Sequence, residues 1–224
     1  MCSSDLGLVR ADITARIPGS GINAGAYNPV APPARENRPF RFLLVARMLR
    51  DKGICEFAEA ANILRQQGKQ LECQLLGAVD CANPNSVPLQ QIMEWEQQGI
   101  LRYLGKTDQV QTYLAEADCI VLPSYREGIP RTLLEAAAME RPIITSDTPG
   151  CRDVVEPGIN GLLCQVKNAK DLAQKMVEMM EKTPEECRKM GIAGRIKIEK
   201  EFDEKQVIQA YLDTISAISN QKKI

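Results

Sequence analysis

The sequence predicts an α/β protein in which a parallel β-sheet carries helices on both faces. Short, mainly apolar runs, such as Phe40–Ala46 and Cys119–Leu122, alternate along the chain with longer segments of helical periodicity. Apolar runs of this kind are typical of strands buried on both faces, and strands that alternate with helices favour a parallel sheet. Because ligands bind at the carboxyl ends of such strands, we expect the loops after the strands to converge on one crevice.

Glycine, proline and capping residues mark where the elements begin and end. Gly68 ends a helix, Thr107 or Asp108 caps another, and Pro130 suits the first helical position, where its missing N–H has no intrahelical partner to lose. Residues 149–163 contain two segments that we interpret as structural turns. The predicted strands are Phe40–Ala46, Leu71–Leu76, Ile100–Tyr103, Cys119–Leu122 and Pro142–Thr145. The predicted helices are Ile54–Gln67, Pro88–Gln98, Thr107–Ala117, a helix from Pro130, and residues 168–182, 184–200 and 203–219.

Length and composition divide the chain into two unequal parts. The chain has 224 residues, enough for one large domain or two small ones. Residues 1–40 are rich in Gly, Pro, Ala and Asn and show only weak periodicity. We therefore predict a partly irregular linker over residues 1–40 that leads into a domain spanning residues 41–224.

Composition disfavours several functional classes. The formal net charge is −1, which argues against nucleic acid as the main partner. Histidine is absent, which removes Ser-His and Cys-His catalysis and His-ligated metal from this chain. The eight Cys form no Cys-x-x-Cys pair and are better explained as buried thiols in a reducing cytosol than as disulfides or zinc ligands. With neither the pattern of a signal peptide at its start nor an apolar run long enough to span a bilayer, the chain is expected to be cytoplasmic.

The stretch of sequence that says most about function runs from the strand Cys119–Leu122 through a glycine turn into an Ala/Leu-rich helix. This arrangement directs free backbone N–H groups and the positive end of a helix dipole at a ligand above the strand, and phosphate is the natural ligand. Gly128, Thr132 and Glu135 share helical spacing and should lie on one face, while Glu127 lies in the turn. The pattern predicts a site for the phosphates and ribose hydroxyls of a nucleotide.

A purely structural interpretation of the same residues stays open at this point. Ser124 and Glu127 also fit a capping box, which needs no ligand. Glu135 could simply pair with Arg131, one helical turn earlier.

The Glu-x7-Glu spacing within Ser124–Met139 closely resembles the signature of retaining glycosyltransferases of family four, which have the GT-B fold. The resemblance implies a Rossmann-like domain that forms one half of that fold. It also implies that Glu127 contacts the hydroxyls of the donor sugar and that Glu135 binds the ribose. The phosphate side of the same site would involve Gly128, Ile129, Pro130 and Thr132.

A second motif, Val45–Gly53, resembles the Gly-Arg-Leu-x-x-x-Lys-Gly element of the same family, with Ala46 in place of the first Gly. The resemblance assigns Arg47 and Lys52 to the diphosphate and gives them, with Glu127, a catalytic role. Cleavage of the sugar–phosphate bond leaves extra negative charge on the diphosphate, which cations must stabilise. Since the chain has no Asp-x-Asp pair to carry a metal, two fixed cations and a helix start could do this instead. The alternative is that both side chains are ordinary solvated surface charges.

The resemblance begins at about Arg16 and covers the second of the two domains of such an enzyme, so the acceptor-binding domain is expected to be missing. The last helix should then expose apolar positions, which dimerisation would hide. The resemblance is strongest to bacterial enzymes that use UDP-sugars to build capsule, O-antigen or polyprenyl-diphosphate-linked oligosaccharides. It implies a glycan or lipid-linked acceptor, work at the cytoplasmic face of the membrane, and no cofactor. Alternatives are a binding module that transfers nothing and a GT-B epimerase or sugar-phosphate synthase.

Overall fold

A computed structural model of the chain describes residues 19–31, 34 and 38–221. Its centre is a six-stranded sheet of order β3-β2-β1-β4-β5-β6, in which all neighbouring strands are parallel. The strands are β1 (Phe40–Val45), β2 (Leu71–Leu76), β3 (Arg102–Tyr103), β4 (Cys119–Leu122), β5 (Ile143–Ser146) and β6 (Gly161–Cys164). This confirms the α/β class and the parallel sheet predicted from the sequence.

Eight α-helices connect and cover the strands that the structure describes. They are α1 (Ile54–Gln66), α2 (Leu89–Gln97), α3 (Val110–Glu116), α4 (Arg131–Ala138), α5 (Cys151–Val154), α6 (Ala169–Met180), α7 (Pro184–Glu201) and α8 (Glu204–Gln221). The cap predicted for α3 is wrong, because the Thr107 hydroxyl accepts from the Gln109 N–H in a turn that precedes the helix. The start of α7 is fixed by a full capping box of Thr183 and Glu186, which the sequence analysis did not predict.

The turns predicted at residues 149–150 and 158–161 are present, and two short elements that were not predicted accompany them. The helix α5 has only four residues, about one turn, and the strand β6 begins at Gly161, a residue typical of turns. Pro130 is also displaced from its predicted place, because ψ of 119° leaves it extended at the N-cap, with Arg131 as the first helical residue. A missing N–H is harmless at either position, since neither takes part in the intrahelical ladder.

The side chains of the central strands alternate between two apolar layers, one on each face of the sheet. Phe42 and Leu44 of β1 point into the layer that holds α1 and α6, and Leu43 and Val45 point into the layer that holds α3, α4 and α5. A strand buried in this way has no polar face, which explains the nearly continuous apolar runs.

Part of the predicted linker belongs to the body of the domain. Ile22, Ala24 and Tyr27 are buried, and the backbone of Ile22 exchanges hydrogen bonds with Phe202 and Glu204 at 2.8 and 3.1 Å. This packing could not be predicted from hydrophobic periodicity, because the segment is mainly irregular and its 3-10 helix has only three residues. The predicted linker is described only in part, because residues 1–18, 32, 33 and 35–37 lie outside the described residues.

The last helix exposes apolar side chains, as its sequence predicts. Ile208, Tyr211, Leu212 and Ile215 are each more than half exposed and recur at the spacing of one helix face. Dimerisation through this face stays a prediction. No helix in the described part of the chain has the length and apolarity required to cross a membrane.

Candidate functional site

The strand order reverses direction between β1 and β4. The chain leaves β1 towards β2 on one side and leaves β4 towards β5 on the other, so the loops after these two strands diverge. In open parallel sheets the crevice at such a reversal is the usual ligand site. The loop after β1 carries Arg47 and Lys52, and the loop after β4 carries Glu127 and Gly128. The sheet therefore brings both sequence motifs to one crevice.

The two loops are joined through their backbones. The N–H of Tyr125 donates to the carbonyl of Asp51 at 2.8 Å. Gly53 has a φ of 74°, and a Cβ there would lie 2.2 Å from the carbonyl oxygen of Pro123. Glycine is therefore required at this position, because the loop that ends at Lys52 passes directly against the end of β4.

Lys52 and Glu127 form an ion pair across the crevice. The Lys52 ammonium donates to Oε1 of Glu127 at 2.6 Å, and the Ser124 hydroxyl donates to the same oxygen at 2.8 Å. The two charged side chains are only 19% and 13% exposed, so they are not ordinary surface charges. The capping-box alternative is wrong, because Ser124 bonds to the Glu127 carboxylate in a loop where no helix begins. An ammonium has three N–H donors, so Lys52 keeps donors for an anionic ligand.

Glu135 lies on α4 and is 16% exposed. Its Oε1 accepts from Nε of Arg131 at 3.0 Å and from the hydroxyl of Tyr27 at 3.1 Å. The pairing with Arg131 that the structural interpretation proposed is therefore present. Nevertheless, it engages one oxygen only: Oε2 has no partner among the described residues and is not buried.

Arg47 follows β1 directly and is exposed. Its guanidinium makes no hydrogen bond or ion pair with any described residue, so its donors are available to a ligand. It lies near the start of α4, because the Thr132 hydroxyl donates to the carbonyl of Val45, two residues before Arg47, at 3.1 Å.

The phosphate-binding part of the prediction needs one correction. Gly128 precedes the first helical residue by three positions, so it does not share a helix face with Thr132 and Glu135. The Thr132 hydroxyl already donates to β1, so Thr132 can offer only its backbone N–H to a phosphate. No hydrogen bond between described residues uses the N–H groups of Gly128, Ile129, Arg131 or Thr132. A row of free N–H groups at the start of α4 can therefore bind an anion, as the sequence predicted.

Two contributors to the site were missed. No sequence pattern indicated a role for Tyr27 in the site, because it lies in an irregular segment and its partner Glu135 is 108 positions further along the chain. Gly150 packs so closely on the turn that a Cβ would lie 1.4 Å from the carbonyl oxygen of Gly128. A glycine followed by a short helical turn could have indicated such a contact. Burial raises the pKa of the Tyr27 phenol, and the Glu135 carboxylate raises it further, so this hydroxyl remains a donor.

The strand order, and the crevice bordered by two helix N-termini, are those of nucleotide-binding α/β domains. The family described as glycosyl transferases group 1 matches residues 39–182, more than half of the chain, and the chain belongs to this family. The family and the GT-B type of fold predicted from the sequence are thereby confirmed.

Individual relatives agree with this assignment. An N,N'-diacetylbacillosaminyl-diphospho-undecaprenol alpha-1,3-N-acetylgalactosaminyltransferase of Campylobacter jejuni is 34% identical over 171 residues, which cover 76% of this chain and 43% of the relative. A sucrose-phosphate synthase structure from Thermosynechococcus elongatus is 27% identical, with a TM-score of 0.76 over 90% of this chain and 53% of that one. HepE of Anabaena, solved in complex with UDP and glucose, has the same fold at 20% identity, with a TM-score of 0.76 over 92% of this chain and 58% of its own. The chain thus spans about half the length of the relatives it matches.

The predicted contact of Arg47 with a diphosphate can be tested with UDP: Arg47→Lys should weaken its binding about threefold to tenfold, because lysine keeps the charge but loses the planar pair of donors. Isothermal titration with UDP measures the change. Arg65→Lys, at the exposed far end of α1, is the matched control and should have no effect. Equal affinity of the Arg47 variant and the wild type would exclude a bidentate contact.

Proposed function

We propose that the chain is the donor-binding, C-terminal half of a retaining glycosyltransferase that uses a UDP-sugar. The observation that carries the proposal is the Lys52–Glu127 bond across the crevice, with Glu135 on the helix that follows the same turn. The cation and the acid of this bond would face the diphosphate and the sugar of a ligand, and the second acid, further along the helix, would face its ribose. A nucleotide-sugar has a sugar, a diphosphate and a ribose in that order.

The diphosphate would be held by Arg47, Lys52 and the free N–H groups at the start of α4. Two of these contributors are fixed before a ligand arrives: Lys52 by Glu127, and the N–H groups by the helix that follows them. Preorganised donors of this kind stabilise the charge that develops when the sugar–phosphate bond breaks. We assign no metal to this step, because cations and a helix start already face the place where the charge appears.

Glu127 is assigned to the donor sugar and Glu135 to the ribose. In both carboxylates one oxygen accepts hydrogen bonds from protein donors, and the other accepts none from the described residues. A free carboxylate oxygen is a strong acceptor for sugar hydroxyls. In this assignment Lys52, which bonds to Glu127, also contacts the diphosphate, so the bond to be broken would lie beside it.

The relatives support a role in cell-surface polysaccharide synthesis. The Campylobacter relative is named for the transfer of N-acetylgalactosamine to a diphospho-undecaprenol acceptor. We therefore favour an N-acetylhexosamine or hexose as the sugar and a glycan or polyprenyl-diphosphate-linked acceptor at the cytoplasmic face of the membrane. The acceptor would be bound by a domain outside this chain, so the chain alone should bind donor without transferring it.

Titrations of two amide variants test the two carboxylate roles. The tightest UDP-sugar is first identified by thermal shift among UDP-glucose, UDP-N-acetylglucosamine and UDP-N-acetylgalactosamine. Glu135→Gln should weaken UDP itself about tenfold, because an amide accepts less strongly than a carboxylate. Glu127→Gln should leave UDP affinity nearly unchanged and reduce only the additional affinity of the UDP-sugar.

The outcomes separate the proposal from its rivals. If Glu127→Gln abolishes UDP binding and Glu135→Gln does not, the two roles are reversed. If no UDP-sugar or UDP binds the wild type, the proposed function is wrong. Turnover of the UDP-sugar to an isomer without any acceptor would instead identify an epimerase.

A further inference from the structure

The hydroxyl of Tyr27 reaches Glu135 from outside the motif that carries this acid. The side chain is buried in the core, with 8% of the residue exposed, and its hydroxyl lies 3.1 Å from Oε1 of Glu135. Arg131 approaches the same oxygen from the exposed side, with its side chain 70% exposed. Glu135 is therefore held between a buried phenol and a surface guanidinium.

These two donors decide which oxygen of Glu135 is available. A carboxylate oxygen has two lone-pair sites, and Tyr27 and Arg131 together occupy those of Oε1. Oε2 receives no hydrogen bond from a described residue and is not buried. Because Oε1 is bonded on both sides, the carboxylate cannot rotate freely, and Oε2 is presented in one direction.

The backbone around Tyr27 is fixed as firmly as its ring. Arg195 donates to the carbonyls of Tyr27 and Ala24 at 3.2 and 3.3 Å, and to the carbonyl of Ala138 at the end of α4 at 2.6 Å. One guanidinium thus ties the segment that carries Tyr27 to the helix that carries Glu135. The distance between the phenol and the acid is set by this connection.

We propose that Tyr27 is a positioning residue that aims Oε2 of Glu135 at the ribose hydroxyls and so makes the site selective for ribonucleotides. This rests on the proposed function, in which Glu135 binds the ribose. Without the phenol, the carboxylate can turn about its last bond, and its hydrogen bonds to the ribose lose their fixed geometry. Binding of a ligand without ribose hydroxyls does not depend on that geometry.

The test compares three ligands with wild type and Tyr27→Phe, which keeps the ring and removes only the hydroxyl. The ligands are UDP, 2′,3′-dideoxy-UDP and inorganic pyrophosphate, each titrated by calorimetry. Tyr27→Phe should weaken UDP about fivefold, the effect of one ordinary hydrogen bond, because the phenol acts on the ribose only through Glu135, and it should change the other two less than about twofold. The preference for UDP over its dideoxy analogue should therefore shrink.

Two further variants support the comparison. Arg131→Met removes the other donor to Oε1 at an exposed site that does not threaten folding, and should reduce the same preference. Tyr113→Phe removes a phenolic hydroxyl on α3 that has no partner among the described residues, and should leave all three affinities unchanged.

The results distinguish this inference from the function on which it rests. If UDP binds and Glu135→Gln weakens it, but neither Tyr27→Phe nor Arg131→Met alters the preference for UDP, the positioning role is refuted and the function stands. An equal loss for all three ligands would show a general structural role instead. A wild type that binds no UDP would refute both.

Discussion

Gly150→Ala should abolish UDP binding and lower the free energy of unfolding by at least ~2 kcal/mol, since it combines backbone strain with a backbone clash. A Cβ at this position would lie 1.4 Å from the carbonyl oxygen of Gly128 and 2.8 Å from that of Glu127. Both atoms belong to the turn that holds the diphosphate end of the proposed site. Since they are backbone atoms, no side-chain rotation relieves the clash, and the turn itself has to move.

Gly158→Ala is the matched control for this change. Gly158 has a φ of 80°, close to the 83° of Gly150, but a Cβ there would have no atom within 4 Å. It should therefore cost only about 1 kcal/mol of strain and leave UDP binding intact. Urea unfolding and UDP titration of both variants measure the difference, and equal behaviour would contradict the tight packing of Gly150 on the turn.

Lys52→Ala should weaken UDP binding by roughly 1.5–3 kcal/mol, the scale of a hydrogen bond to a charged group, with little effect on folding. The loss has two physical sources. The ammonium no longer contacts the diphosphate, and Glu127 is left with Ser124 as its described partner, so an unneutralised carboxylate faces the ligand. Calorimetric titration of UDP gives the magnitude.

A double variant separates these two sources. Adding Glu127→Gln to Lys52→Ala removes the repulsive charge and should recover part of the lost affinity. Lys69→Ala, an exposed residue just before β2 at the opposite edge of the sheet, controls for net charge and should have no effect. Unchanged UDP affinity in Lys52→Ala would reject its assignment to the diphosphate.

The fold was largely predictable, because fully buried parallel strands appear in the sequence as short, nearly continuous apolar runs. The strands around Leu43 and Ile120 are apolar nearly throughout, so their positions followed from composition alone. The exceptions were α5, whose four residues make about one helical turn, and β6, which begins at Gly161, a residue typical of turns. The strands β4 and β5 are as short as β6 but begin with apolar residues, so their runs could be recognised.

The candidate site was predictable only where chemistry and local spacing coincide. Glu127 and Glu135 share one strand–turn–helix unit, and Lys52 follows a neighbouring strand, so parallel topology alone brings them to one edge. The Lys52–Glu127 bond itself and the contact of Tyr27 with Glu135 depend on tertiary packing, which no short-range pattern encodes. The place of Pro130 was missed for a different reason, because its fixed φ suits both the N-cap and the first helical position.

The bridge between Ile22 and Asp203 has a mechanical consequence. The segment around Ile22 meets the beginning of α8 through two backbone hydrogen bonds: the N–H of Ile22 donates to Phe202, and the N–H of Glu204 donates to Ile22. Residues about 180 positions apart in the sequence are thereby clamped together. Loosening the segment around Ile22 should therefore also release the start of α8 from the domain.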